Sequence, residues 1–153
     1  MPRGVALACL IVLLALPAQA QTQKYAVDQV WEYRTRPGEE KSLLEIRKIE
    51  TVDKVGQVFH ISIVGLQIAV PQRPDFRLTE LPHVPVSRQT LDQSVTKLSK
   101  TAVNGPDFSK GYADWRKNAD EGRVGVFTIS VASIIGSVED TLKKNAPPPR
   151  RSR

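Results

Sequence analysis

His60 and His83 are the only side chains in this sequence whose ordinary pKa lies near neutrality, so they are the first candidates for acid–base chemistry. His60 stands inside an apolar run, and His83 belongs to the segment Leu81-Pro82-His83-Val84-Pro85. We favour a hydrogen-bonded core histidine at position 60 and an exposed loop residue at position 83. The alternative is a hydrolase that uses His60 or His83 as its base, which requires a carboxylate or hydroxyl within hydrogen-bond reach.

Other catalytic patterns are missing from the sequence. Gly122-Arg-Val-Gly125 lacks the glycine spacing of a nucleotide-binding loop, and neither a Gly-x-Ser-x-Gly elbow nor a paired-histidine metal motif occurs. A Ser-His-acid triad can be assembled on paper from the ten serines, and that freedom makes any such triad uninformative. A metal would need both histidines plus carboxylates, and no spacing points to one. We therefore expect no catalytic residue, no metal and no cofactor.

Arg34 and Arg36 flank a predicted turn and are the remaining candidates for binding. A guanidinium can grip a carboxylate or phosphate through two N–H groups, although such residues usually face water or pair with nearby acids, here Glu39 and Glu40. One functional hypothesis is therefore a small anionic or apolar ligand in a pocket between sheet and helices, lined by Arg34, Arg36 or His60. Large aromatic side chains at buried spacing are expected to fill the core instead of stacking on a ligand: Trp31, Tyr33, Tyr112 and Trp115.

The first twenty residues have the layout of a secretory signal. A short positive start precedes an apolar run from Val5 to Leu16, which as a helix would measure about 18 Å and fall short of a hydrocarbon core of about 30 Å. Ala18-Gln19-Ala20 then offers small residues to a signal peptidase. We predict cleavage between Ala20 and Gln21 and a periplasmic or secreted mature protein.

The net charge of +6 on 153 residues comes from the ends of the chain. Residues 21–142 carry 16 basic and 16 acidic side chains, so the predicted folded body is neutral, unlike a nucleic-acid module. Residues 146–153 are predicted to be a disordered, basic, Pro-rich tail that allows at most weak attachment to anionic lipids. The charged side chains of this end are Lys143, Lys144, Arg150, Arg151 and Arg153. Cleavage would also remove Cys9, the only cysteine, so no disulfide is expected.

Residues 29–66 predict a three-strand antiparallel meander, because apolar residues alternate along three runs separated by turn residues. The turns are Pro37-Gly38 and the residues around Gly56. The third run is apolar on both faces, which is typical of a covered, central strand. The predicted strands are Gln29–Arg34, Ser42–Thr51 and Gln57–Leu66. Residues 67–86 are expected to be irregular because their four prolines lack backbone donors.

The second half of the sequence predicts three helices and one strand. Ser87 is a preferred N-cap for a helix with an apolar stripe that continues to Ala102. A second helix is predicted after Asp107 and a strand over 123–129. A third helix begins after Ser130, the alternative being a strand that continues to Ile135.

These elements predict one α+β domain over residues 21–145. The expected order is β-β-β-α-α-β-α, an antiparallel sheet of about four strands with helices on one face. Val30-Trp31-Glu32-Tyr33-Arg34-Thr35-Arg36-Pro37-Gly38-Glu39-Glu40, together with Leu81-Pro82-His83 and Gly111-Tyr112-x-x-Trp115, resembles a group of small exported proteins of Gram-negative bacteria. No activity is attached to that group, so the resemblance implies export and no site residue. The favoured function is a non-catalytic, protein-binding accessory factor of the cell envelope.

Overall fold

A computed structural model describes residues 24–146 of the chain. The predicted leader, its cleavage between Ala20 and Gln21, and residues 147–153 of the predicted tail lie outside the described residues. The described part contains an antiparallel five-stranded sheet and three helices, which confirms the predicted α+β class. The elements are β1 (Val30–Tyr33), β2 (Leu43–Val52), β3 (Gly56–Ala69), β4 (Arg77–Val86), α1 (Arg88–Ser94), β5 (Val95–Leu98), α2 (Ser109–Asp120) and α3 (Val131–Lys144).

The sheet begins as the predicted meander. β1 to β4 follow one another in space as they do in sequence, and β5 returns to the free side of β1, giving the order β4-β3-β2-β1-β5 with antiparallel neighbours throughout. Both predicted turns are present. Gly38 and Gly56 have φ of 85° and 90°, a region that glycine enters without the steric cost other residues meet.

The expectation of an irregular segment over 67–86 is wrong for residues 67–69, which end β3, and for the second half, which forms β4. Pro82 and Pro85 are tolerated because β4 is an edge strand with a single strand neighbour, so it can leave some donors out of the ladder. The β3–β4 register shifts between Ile61 and Ile63, beside the first of these prolines. The prolines forbid a central strand, and an edge position avoids that restriction.

The first helix is shorter than predicted. The Ser87 hydroxyl caps α1 by accepting the Thr90 N–H at 3.2 Å, as expected, but the helix ends at Ser94 and the chain continues as β5. Val95 and Thr96 are β-branched and favour a strand. β1 also offers an open edge, against which Leu98 pairs with Trp31. Long-range pairing therefore overrides the helical stripe.

The last predicted strand is wrong and the last predicted helix is confirmed. Residues 123–129 are irregular apart from one parallel bridge between Val86 and Phe127. α3 then begins after Ser130, whose hydroxyl accepts the Ser133 N–H, so the alternative of a strand reaching Ile135 is also wrong. The observed order is therefore β-β-β-β-α-β-α-α.

The helices cover both faces of the sheet, contrary to the expected single face. Phe59, Ile61 and Ile63 of β3 belong to the main core with α1 and α3. Val58 faces the opposite side and packs with Trp115 of α2 in a second, smaller core. The reason lies in β3 itself, because a strand that is apolar on both faces needs cover on both. α2 therefore packs on one face of the sheet, and α1 and α3 pack on the other.

Candidate functional site

The fold brings His60 and His83 together beneath α2. His60 Nδ1 lies 2.9 Å from His83 Nε2, and His60 Nε2 lies 2.9 Å from Glu50 Oε1. The two imidazole planes are inclined by 16°, with ring centroids 5.1 Å apart. We call Glu50, His60 and His83 the Glu–His–His chain. The sequence prediction that His60 is a hydrogen-bonded core residue is confirmed, and His83 is partly buried rather than an exposed loop residue.

Sheet register explains this arrangement. β2, β3 and β4 are neighbours, and the ladder places Lys48 and Pro85 on either side of His60. Glu50 stands two residues after Lys48, and His83 stands two residues before Pro85, so both lie on the same face as His60 at diagonal positions. Diagonal neighbours are within reach of long and aromatic side chains. Each of three adjacent strands therefore contributes one polar side chain to the same spot.

α2 closes this spot from above. The rings of Tyr112 and Trp115 meet His60 edge-on, with centroid distances of 5.0 and 4.8 Å. The Trp115 indole N–H also donates to the Gly125 carbonyl at 3.3 Å. Gly111 lies directly against His83. The spacing Gly111-Tyr112-x-x-Trp115 is thus the footprint of α2 on the two histidines.

Burial decides the charge of the histidines. Desolvation lowers the pKa of His60, against the opposing effect of its hydrogen bond to Glu50. Desolvation and the neighbouring His60 lower the pKa of His83 to about 4. Both imidazoles are therefore neutral near pH 7. His60 Nε2–H then donates to Glu50, His60 Nδ1 accepts the Nε2–H of His83, and His83 Nδ1 keeps a lone pair.

The Glu–His–His chain can pass a proton. When His83 Nδ1 takes up a proton, the proton on His83 Nε2 can move to His60 Nδ1, and the other nitrogen of His60 is hydrogen-bonded to the Glu50 carboxylate. A hydrolase would need in addition a nucleophile or an activated water in contact with an imidazole. Within residues 24–146 no serine or threonine hydroxyl forms a hydrogen bond with either histidine. The Glu–His–His chain therefore offers the acid–base group that the hydrolase alternative requires, but none of these contacts identifies a nucleophile for it.

The other two predicted binding residues lie elsewhere. Arg36 makes two hydrogen bonds to Glu39, at 2.9 and 2.8 Å, and one of 2.6 Å to Glu139 of α3. Arg34 donates to the carbonyl of Gln93 at 2.7 Å. Both arginines thus bind groups of the protein itself, and the structure does not bring them to the histidines. The predicted pairing of Arg36 with Glu39 is confirmed.

The predicted aromatic core is also confirmed for three of its four members. Trp31 and Tyr33 are buried in the main core and Trp115 in the second, whereas Tyr112 is half-buried over the histidines. Together with Phe59, these rings occupy the interface between sheet and helices. A ligand pocket at that place would need the same space, which argues against the small-ligand hypothesis.

A second candidate site was not anticipated from the sequence. An open apolar groove of about 330 Å³ runs along α3 beside Phe127. Phe127 and Ile129 are 40% and 44% exposed. The groove is lined by Phe127, Ile134, Ser137, Val138, Thr141 and Leu142. The signal in the sequence was the apolar stripe of α3, which continues past the buried Ile134 and Ile135 to the half-buried Val138 and Leu142.

Gly111→Ala is expected to destabilise the protein, although alanine is the better helix former by about 1 kcal/mol. A Cβ at position 111 would lie 2.7 Å from the His83 Cβ. That atom is bonded to the β4 backbone, so it cannot move aside by rotation of the side chain. We expect a net loss of about 1–3 kcal/mol in the free energy of unfolding, measured in urea. Gly136→Ala in α3 is the matched control, since nothing lies within 4 Å of its added Cβ, and it should stabilise. Equal stabilisation by both substitutions would contradict this packing.

Comparison with known proteins gives no family for this chain, because no protein-family model, curated protein or solved structure matches it significantly. Among residues 24–146, no helix has the length and apolar character needed to cross a bilayer. The same residues contain no group of three or more His, Cys, Asp or Glu side chains placed to hold a metal ion. The two sites therefore have to be interpreted from their own chemistry.

Proposed function

We propose that this protein is an exported, non-catalytic accessory factor of the cell envelope that binds an apolar segment of another protein in the groove of α3. The observation that supports this function is the apolar groove between Phe127 and α3, with the exposed side chain of Ile129 two residues further along the chain. Export follows from the leader predicted at residues 1–20. The group of exported proteins that the sequence resembles is consistent with it.

The groove has the chemistry of a protein-binding surface. Its floor consists of Ile134, Val138 and Leu142, side chains at helical spacing on one face of α3, and Phe127 forms one wall. Exposed aromatic and aliphatic side chains gathered into one concave patch are typical of sites that accept the apolar face of a partner helix or strand. Phe76 is exposed to the same degree as Phe127 but does not line this groove.

Charge indicates which apolar segment would bind. Leu142 lies at the end of the groove, and the two residues that follow it are Lys143 and Lys144. The sequence then continues to Arg150, Arg151 and Arg153, while residues 21–142 are neutral overall. A partner segment with acidic residues beyond its apolar face would gain electrostatic attraction at this end and a faster rate of association. We therefore propose an acidic, amphipathic segment of an envelope protein as the partner.

The test is site-specific photocrosslinking in the intact envelope from a photoreactive residue placed at Ile129. We expect a protein adduct that maps to an acidic, amphipathic segment, and binding of that segment weakened at least about tenfold by Phe127→Ser. Phe76→Ser is the matched control, because Phe76 is equally exposed, at 40%, but lies in the β3–β4 turn. Equal effects of both substitutions, or adducts with lipid alone, would refute the proposal; lipid adducts would indicate membrane attachment through the basic end.

A further inference from the structure

α2 is attached to the sheet through a small apolar core and through its contacts with the two histidines. Trp115 is its only buried residue, and at its N-terminus the Asp107 carboxylate accepts the Ser109 N–H at 2.9 Å. The core beneath it consists of the buried Val52, Val58 and Trp115, with Val55, Ala119, Val124 and Val126 packed against them. Its remaining contacts with the sheet centre on the Glu–His–His chain: Gly111 lies on His83, Tyr112 and Trp115 on His60, and Arg116 is 3.6 Å from Glu50.

The Glu–His–His chain can accommodate one extra proton but not two. A first proton makes His60 a cation, whose two N–H groups donate to Glu50 and to His83 Nε2, with the proton of His83 now on Nδ1. A second proton would set two N–H groups against each other across the 2.9 Å separation. The other charged groups around the histidines, Lys48 of β2 and Arg116 of α2, oppose further positive charge. Tyr112 of α2 contributes an uncharged aromatic ring beside His60.

We propose that the Glu–His–His chain is an acid-sensitive latch, which holds α2 on the sheet while the histidines share one hydrogen bond and releases α2 when both are protonated. Release exposes the face of β2, β3 and β4 that α2 covers, including Val58. The main core with α1 and α3 lies on the other face and stays packed. The device is independent of the groove of α3.

The direction of the pH effect follows from the lowered pKa of both histidines. With α2 released, each imidazole regains water and its ordinary pKa of about 6.5. Between about pH 6.5 and the pKa of His83 near 4, the released state therefore binds more protons than the docked state. The docked state is fully favoured above pH 6.5 and loses its advantage as the pH falls through that window.

Hydrogen exchange measured segment by segment tests this latch in protein expressed from the full-length sequence. After correction for intrinsic rates, we expect the opening constant of α2 to rise at least about 50-fold between pH 7 and pH 4.5. α3 carries no histidine and packs on the other face, so its protection should stay nearly constant and serves as the internal reference. Equal loss of protection in α2 and α3 would mean global unfolding and would overturn the proposal.

His83→Gln is the decisive variant, because a glutamine amide can keep the hydrogen bond to His60 and cannot be protonated. We expect the acid response of α2 to fall below about fivefold in this variant. Asp114→Asn, which removes an exposed carboxylate from the same helix, should retain the full response. An unchanged response in His83→Gln would exclude the latch. If that variant does not fold, NMR titration of both histidines in the natural protein decides: ordinary midpoints near 6.5 with α2 still protected would also exclude it.

Discussion

Arg36→Ala is expected to lower the free energy of unfolding by about 3–5 kcal/mol, one of the largest effects of any single substitution in this protein. Its partner Glu39 is only 2% exposed. Although burial disfavours the charge of this carboxylate, the hydrogen bonds from Arg36 and from the Gln67 N–H hold its pKa below the ordinary value. Without Arg36 the carboxylate stays buried and loses the one cation that pairs with it among residues 24–146, and α3 loses its ion pair through Glu139.

Denaturant unfolding of a small set of variants measures this effect. Arg34→Ala is the matched control, because its guanidinium is exposed and binds a carbonyl oxygen, and it should cost less than about 1 kcal/mol. Adding Glu39→Gln to Arg36→Ala removes the stranded charge and should restore part of the loss. Equal costs for the two arginine substitutions would show that the buried pair has no special role.

The elements that local sequence determines could be predicted. Ser87 and Ser130 cap helices because their hydroxyls accept an N–H three residues ahead, an interaction confined to four residues. The Gly38 and Gly56 turns need only a residue that tolerates positive φ. The alternation of Phe59, Ile61 and Ile63 likewise predicted, from local sequence, which side chains of β3 share one face; that face packs in the main core.

The errors arose where the partner of a segment is remote in sequence. Val95 and Leu98 fit a helical stripe until the open edge of β1 is known, and pairing with Trp31 and its neighbours then decides for a strand. Pro82 and Pro85 exclude a strand only if the strand is central, and the edge position of β4 depends on the whole sheet order. Local propensity is a weak preference that tertiary pairing overrides.

The sequence predicted the two histidines of the candidate site, but not that they are in contact. His60 and His83 were the obvious titratable side chains, but their contact depends on the β3–β4 register, which includes a shift between Ile61 and Ile63. A slip of one residue would turn His83 to the opposite face of the sheet. Glu50 had no distinguishing signal, because its role comes from a diagonal position across the β2–β3 ladder.

His60→Ala is expected to lower the free energy of unfolding by about 3 kcal/mol, since it leaves a cavity beneath α2 and two polar groups without their partner. The carboxylate of Glu50 and the N–H of His83 both bind His60 in the native protein. His83→Ala should cost less, about 1–2 kcal/mol, because His83 is partly exposed and water can replace part of its contacts.

The two substitutions should not add. Once His60 is absent, His83 has already lost its hydrogen bond and the ring it packs against, so removing it as well costs little more. We expect a coupling free energy of about 1–2 kcal/mol in the double-mutant cycle, measured in urea near pH 7 where both imidazoles are neutral. Phe59→Ala combined with His83→Ala is the control cycle, because Phe59 faces the other side of the sheet and should show no coupling. Additivity within about 0.5 kcal/mol for the histidine pair would mean that their contact contributes nothing to holding α2 in place.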